Sequence, residues 1–131
     1  MGRLIVEAVS GESRFVDVAG RLVVFVSVTR QEDGSPVLGL KTQHFRIAAP
    51  AGSLYGLAVD AVEEARWEGG QPESAGCYSV SIAFQADKNG GQREWIEGEF
   101  YPFAIQVRFT DAGSSKPHSG QTVVRIESLG K

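Results

Sequence analysis

The chain has 131 residues, 42% hydrophobic and 22% charged, with a net charge of -3 from 13 Lys and Arg against 16 Asp and Glu. A domain of this size buries roughly two thirds of its unfolded surface, so one core forms without disulfide staples. The charge balance argues against a phosphate-backbone binder, which needs a basic stripe, and against a module for anionic membranes.

Period-2 patterning dominates from the start of the chain. In "RLIVEAV", Leu4, Val6 and Ala8 share one face and Arg3 and Glu7 the other. "RFVDVAG", around Phe15 to Val18, is a shorter candidate strand. "RLVVFVSVTR" is the strongest, with Leu22, Val24, Val26 and Val28 on one face. Asp33 and Gly34 then supply a turn, Pro36 fixes its exit and Gly39 permits a bend. Beyond them Phe45 and Ile47 alternate with His44 and Arg46.

The segment "SLYGLAVDAVEEARWEGG" carries two periods at once. Leu54, Leu57, Ala58, Ala61, Val62 and Ala65 fit a helix. Leu57, Val59 and Ala61 also alternate, and the surrounding strands favour a strand here; a short helix near 54–66 is the alternative. "GCYSVSIAF" places Tyr78, Val80, Ile82 and Phe84 on one face. Asn89-Gly90 is a hairpin signal. "EFYPFAIQVRFT" aligns Tyr101, Phe103, Ile105, Val107 and Phe109, with Pro102 placing the strand's start at a sheet edge or bulge. "DAGSSKPHSG" reads as a loop and "QTVVRIESL" as the last strand. No repeat or linker divides the chain, so residues 1–131 form a single domain.

Cys77 is the one cysteine, which rules out an internal disulfide. No apolar run approaches the ~20 residues of a membrane helix, and the first residues lack a secretory h-region. As given, the chain reads as cytosolic, or as an exported domain without its signal.

Two stretches carry a resemblance. "EDGSPVLGL" followed by "FRI" resembles the acidic-Gly turn, Pro-Val and Gly-Leu step of bacterial immunoglobulin-like domains. "ESAGCYSVSI" is similar to the segment that opens a late strand in immunoglobulin and fibronectin-like folds, and "WIEGEFYPFAIQV" to another strand of such sandwiches. The resemblance implies an all-β, antiparallel immunoglobulin-like sandwich of about seven strands. It implies that Tyr78 forms a tyrosine corner, its hydroxyl bonded to nearby backbone. Position 80 is Val rather than Cys, and Trp67 and Trp95 do not sit where a core tryptophan would. An antibody-like domain is therefore disfavoured. A transthyretin-like hydrolase is set aside, because the chain ends in "IESLGK" rather than that family's tail.

Candidate chemistry is sparse. Cys77 would need a histidine as base, and no protease signature surrounds it. His44 and His118 read as isolated surface residues rather than metal ligands. Asp60, Glu63, Glu64 and Glu68 form one acidic patch, and Glu94, Glu97 and Glu99 a second, without the spacing of a calcium loop. Asp33, Gly34, Pro36 and Gly39 serve the turn. No metal, cofactor or catalytic residue is expected.

Binding remains. Val23 and Phe25 lie opposite the Val24 face, and Ile5 and Val9 opposite the Leu4 face, giving second apolar faces that a subunit would cover. Strands at both ends of the chain offer edges for pairing. The expected function is a non-catalytic protein-binding or self-assembly module, with a homo-oligomer among its forms. The alternative is a carbohydrate-binding module gripping sugars with Trp67, Trp95 and Tyr55.

Overall fold

Alternating apolar residues produce strands wherever one face meets the core. In the computed structural model these are β1 (Gly2–Ala8), β2 (Leu22–Arg30), β3 (Phe45–Ala48), β4 (Leu57–Glu64), β5 (Cys77–Phe84), β6 (Phe100–Thr110) and β7 (Pro117–Glu127). The structure describes residues 2–8, 21–48, 56–64, 76–84, 97–111, 113 and 115–128. Among them the only helical segment is a 3-10 turn, Thr42–His44, ahead of β3. The strand at "RFVDVAG" and the Asn89-Gly90 turn lie outside the described residues.

The segment of mixed periodicity is a strand over Leu57–Glu64, not a helix. Its register against β5 shifts between Val59 and Ala61, so a bulge breaks the alternation there. That irregularity is why its sequence also fits a helical period.

The seven strands form one mixed sheet in the order β3-β6-β7-β1-β2-β5-β4. All pairs are antiparallel except β1 with β7, where Gly2 and Arg3 run parallel to His118 and Ser119. From Leu4 to Ala8 the same strand runs antiparallel to β2. The sheet curls towards a barrel, and its outer strands, β3 and β4, approach across a depression of about 310 Å³ lined by Phe45, Ile47, Leu57 and Val59.

This order corrects an expectation. The strands near the two ends of the chain are not open edges, because β1 and β7 pair with each other in the middle of the sheet. Gly120 makes that possible. A Cβ there would lie 2.4 Å from the Leu4 carbonyl oxygen, so only glycine lets β1 cross so close.

The core is a single cluster fed by every strand. Leu22, Val24, Val26 and Val28 of β2, Tyr78, Val80 and Ile82 of β5, and Ile105 of β6 are fully buried. Each such aliphatic side chain contributes roughly 1.5–3 kcal/mol of transfer free energy. Pro102 lies opposite Arg125 of β7 and beyond Ala104–Val107, the part of β6 that pairs with β3.

The stretch between β2 and β3 is built to close the core. Gly34 and Gly39 adopt φ of +73° and +74°, which L side chains rarely do. The Asp33 carboxylate accepts from the Ser35 N–H at 2.9 Å and from its hydroxyl at 2.6 Å. Pro36 bridges to Thr29, and the Val37 N–H donates to the Val28 carbonyl at 3.0 Å. Val37 and Leu40 thereby enter the core while Leu38 stays 61% exposed.

Candidate functional site

Of the residues singled out for binding, Tyr55, Trp67 and Trp95 lie outside the described residues. Val23 is half-buried and Phe25 is 46% exposed, both on the outer face of β2. Their cross-strand neighbours are Ser81 and Ser79. Ile5, 40% exposed on β1, faces Thr29. Val9, expected on the same faces, lies outside the described residues, and serine and threonine flank Val23, Phe25 and Ile5 across the strands. Single exposed hydrophobics of this kind are ordinary.

Of the two acidic patches, Glu68 and Glu94 lie outside the described residues, and Asp60 and Glu64 of the first patch have different partners. Asp60 pairs with Arg21 at 3.3 Å, and Glu63 is exposed. Glu64 turns to the bend, accepting the Gly39 N–H at 3.4 Å and lying 3.5 Å from the Tyr78 hydroxyl. Among the described residues no three His, Cys, Asp or Glu side chains converge as metal ligands do.

His118 overturns the expectation of two surface histidines. It belongs to β7 rather than to a loop, and it is only 3% exposed. Its Nε2 lies 2.6 Å from one Asp111 carboxylate oxygen, while Arg30 Nη2 donates to the other at 3.0 Å. The imidazole stacks on the Phe109 ring, 5.0 Å between centroids, and the Arg30 guanidinium sits 5.4 Å from the same ring. The Arg30 hydrogen bond, followed by the His118 one, holds the Asp111 carboxyl below the ordinary aspartate range. The same bond raises Arg30 further above its ordinary value.

A carboxylate and an imidazole in contact are the parts of a general base. Here the geometry serves a joint instead. The Nε2 atom is taken by Asp111, and the other side of the ring packs so tightly against Gly2 that a side chain at Gly2 would overlap it. The cluster fastens β2, the end of β6 and β7 to the first residues of β1. Cys77, half-buried and free, is cross-strand from Ser27. The histidines are engaged elsewhere: His44 Nδ1 accepts the Lys41 N–H at 2.8 Å.

The strongest candidate surface is the outer face of β3, β6 and β7. Strand order brings Arg46 opposite Gln106, and Gln106 opposite Gln121. In the adjoining row Arg108 lies opposite Ser119. Gln106 Nε2 donates to Gln121 Oε1 at 3.3 Å, which aligns the two amides. With His44 Nδ1 accepting, the neutral ring carries its proton on Nε2.

These side chains line an open depression of about 440 Å³, and among the described residues no carboxylate contributes to it. Arg46 and Arg108 are exposed, and neither makes an ion pair among the described residues. Farther along the face Ala48, Ala104 and Val123 form an apolar row, with Val123 74% exposed. Beyond it the Arg125 guanidinium covers the Phe100 ring at 4.6 Å. A donor-rich patch thus adjoins an apolar one.

Comparison with known protein families, with curated proteins and with solved structures gives no match to this chain.

Sequence reasoning passed over this surface because its residues come from three strands. The signal that existed was the exposed half of two alternations, His44 and Arg46, then Gln106 and Arg108. For His118 the signal was Pro117, since proline is tolerated as the first residue of a strand.

Proposed function

We propose that this chain is an immunoglobulin-like sandwich serving as a non-catalytic protein-binding module, with the outer face of β3, β6 and β7 as its working surface. Support for the fold family comes from strand order. Cut between β7 and β1, the sheet gives β1-β2-β5-β4 and β3-β6-β7. Lettered in chain order, these are the A-B-E-D and C-F-G groupings of a constant-type immunoglobulin sandwich.

The binding reading rests on one observation: a net charge of -3 overall, yet a depression that holds Arg46 and Arg108 and, among the described residues, no carboxylate. Aligned amides and an exposed apolar row beside two arginines make the mixed chemistry of a recognition surface. Self-assembly through the β1–β2 face has less support, since serine and threonine lie across from its described apolar residues. The carbohydrate reading depends on Tyr55, Trp67 and Trp95, which lie outside the described residues.

The test is peptide-display selection on the whole chain, with Val123→Asp on the proposed face and Phe25→Asp on the opposite one. Binders lost with Val123→Asp and kept with Phe25→Asp support the assignment. The reverse pattern moves the working surface to β1 and β2.

A further inference from the structure

We infer that the segment recognised on this face is acidic: an extended stretch of a partner protein whose alternate carboxylates are taken by Arg46 and Arg108. The inference rests on the protein-binding reading above and narrows it to one partner chemistry.

The described arginines outside this depression are of two kinds. Arg21 is paired with Asp60 and Arg30 with Asp111, whereas Arg3 and Arg125 make no ion pair among the described residues and stand apart from each other; Arg46 and Arg108 differ in lining one depression together. Anionic residues outnumber cationic ones, 16 to 13, so carboxylates are not scarce. Yet among the described residues Arg46 and Arg108 have no aspartate or glutamate beside them in the depression. A planar guanidinium in that state offers a two-pronged donor suited to a carboxylate.

Spacing sets the form of the ligand. Arg46 faces Gln106, and Arg108 is two residues farther along β6, so the arginines are diagonal neighbours. Such positions stand about 7–8 Å apart. Alternate side chains of an extended strand repeat roughly every 7 Å. An acidic residue, any residue, then a second acidic residue therefore matches both guanidinium groups. The Gln106 and Gln121 amides lie beside them for the segment's backbone, and the Ala48–Ala104–Val123 row can take an apolar flank. A nucleic acid fits less well, since two arginines on a chain of net charge -3 make no phosphate-tracking stripe.

The experiment titrates the isotope-labelled whole chain with three probes and follows backbone amide shifts. The probes are a short peptide alternating glutamate with threonine, its glutamine-threonine counterpart, and a heparin fragment. The expected result is that the glutamate peptide shifts amides around Arg46 and Arg108, and that added salt weakens it. Arg46→Gln with Arg108→Gln should weaken binding roughly tenfold or more. The salt dependence is read on the native chain, so it stands even if the double variant folds poorly. Equal binding of the glutamine peptide on the same face overturns the acidic preference and leaves the protein-binding reading standing. Shifts with heparin alone overturn it in favour of an anionic glycan. If no probe moves these amides, both readings fall.

Discussion

The hydroxyl of Tyr78 donates to the carbonyl of Val37 at 2.6 Å, joining residues 41 apart in sequence. The same oxygen accepts the Leu40 N–H at 3.2 Å. One phenol therefore satisfies both ends of the bend between β2 and β3, where Val37 and Leu40 are buried. Its ring also packs on Phe45, with centroids 5.5 Å apart. A tyrosine corner of the immunoglobulin kind bonds backbone a few residues upstream. Here the bond reaches a different loop, so the role is a clamp between distant segments.

Tyr78→Phe keeps the ring and strands two buried backbone groups. The expected loss is about 1–3 kcal/mol of stability. Urea unfolding measures it, and an unchanged midpoint would show that water replaces the hydroxyl without cost.

Burial pushes the Tyr78 phenol up to about 12. An exposed phenol in the unfolded chain ionises near pH 10. The unfolded state therefore loses its proton first as pH rises. This contribution to stability is complete below about pH 10 and fades as pH climbs towards the folded value. Unfolding across that alkaline range should show a falling midpoint, and Tyr78→Phe should remove the part of the slope that Tyr78 supplies.

Asp111 gives the opposite pH dependence. Its carboxyl is held below the ordinary aspartate value by Arg30 first and His118 second. As pH falls, the unfolded chain takes up this proton before the folded one does. The stability is present above the ordinary value of about 3.9 and is lost as pH drops through the folded value. Asp111→Asn should flatten the acid limb of a urea-midpoint profile. A residual slope is expected from Asp33, which the Ser35 hydroxyl and N–H also hold low. An unaltered acid limb would mean that the Arg30–Asp111–His118 joint contributes nothing.

How much of this was legible depends on range. The inner faces of β2, β5 and β6 were readable because alternation is local and each face meets one core. The turn at Asp33 and Gly34 was readable for the same reason. The start of β7 was hidden because "KPHSG" has the composition of a loop, while its strand conformation is imposed by pairing with β6 and β1. The parallel contact of β1 with β7 joins opposite ends of the chain, and no local pattern announces it. The Arg46–Gln106–Gln121 row could be seen only as isolated polar positions until strand order set them side by side.

Gly120 offers a direct test of that distant contact. Gly120→Ala would place a methyl 2.4 Å from the Leu4 oxygen and 2.9 Å from its Cβ. One of the two strands has to move, at a cost of about 1–3 kcal/mol. Hydrogen exchange should show protection lost first at Gly2 to Val6. Gly113→Ala, with nothing within 4 Å of the added methyl, is the matched control and should unfold as the parent does.

The solution mass is the remaining test. Both strands that might have paired with a second copy, β1 and β7, are already paired with each other and with inner neighbours. Phe25 and Ile5 project between Ser79 and Thr29 rather than into a shared apolar surface. With hydroxyl side chains flanking the described apolar residues of the β1–β2 face, association there would have little apolar area to bury. The chain should therefore run at 14.1 kDa by light scattering throughout a wide dilution series. A stable multiple of that mass would shift attention to β3 and β4, whose outer edges have no hydrogen-bonded strand among the described residues. In that case Arg46, on β3, would lie at or beside the interface, and Arg46→Gln would change the mass as well as the binding of an acidic peptide.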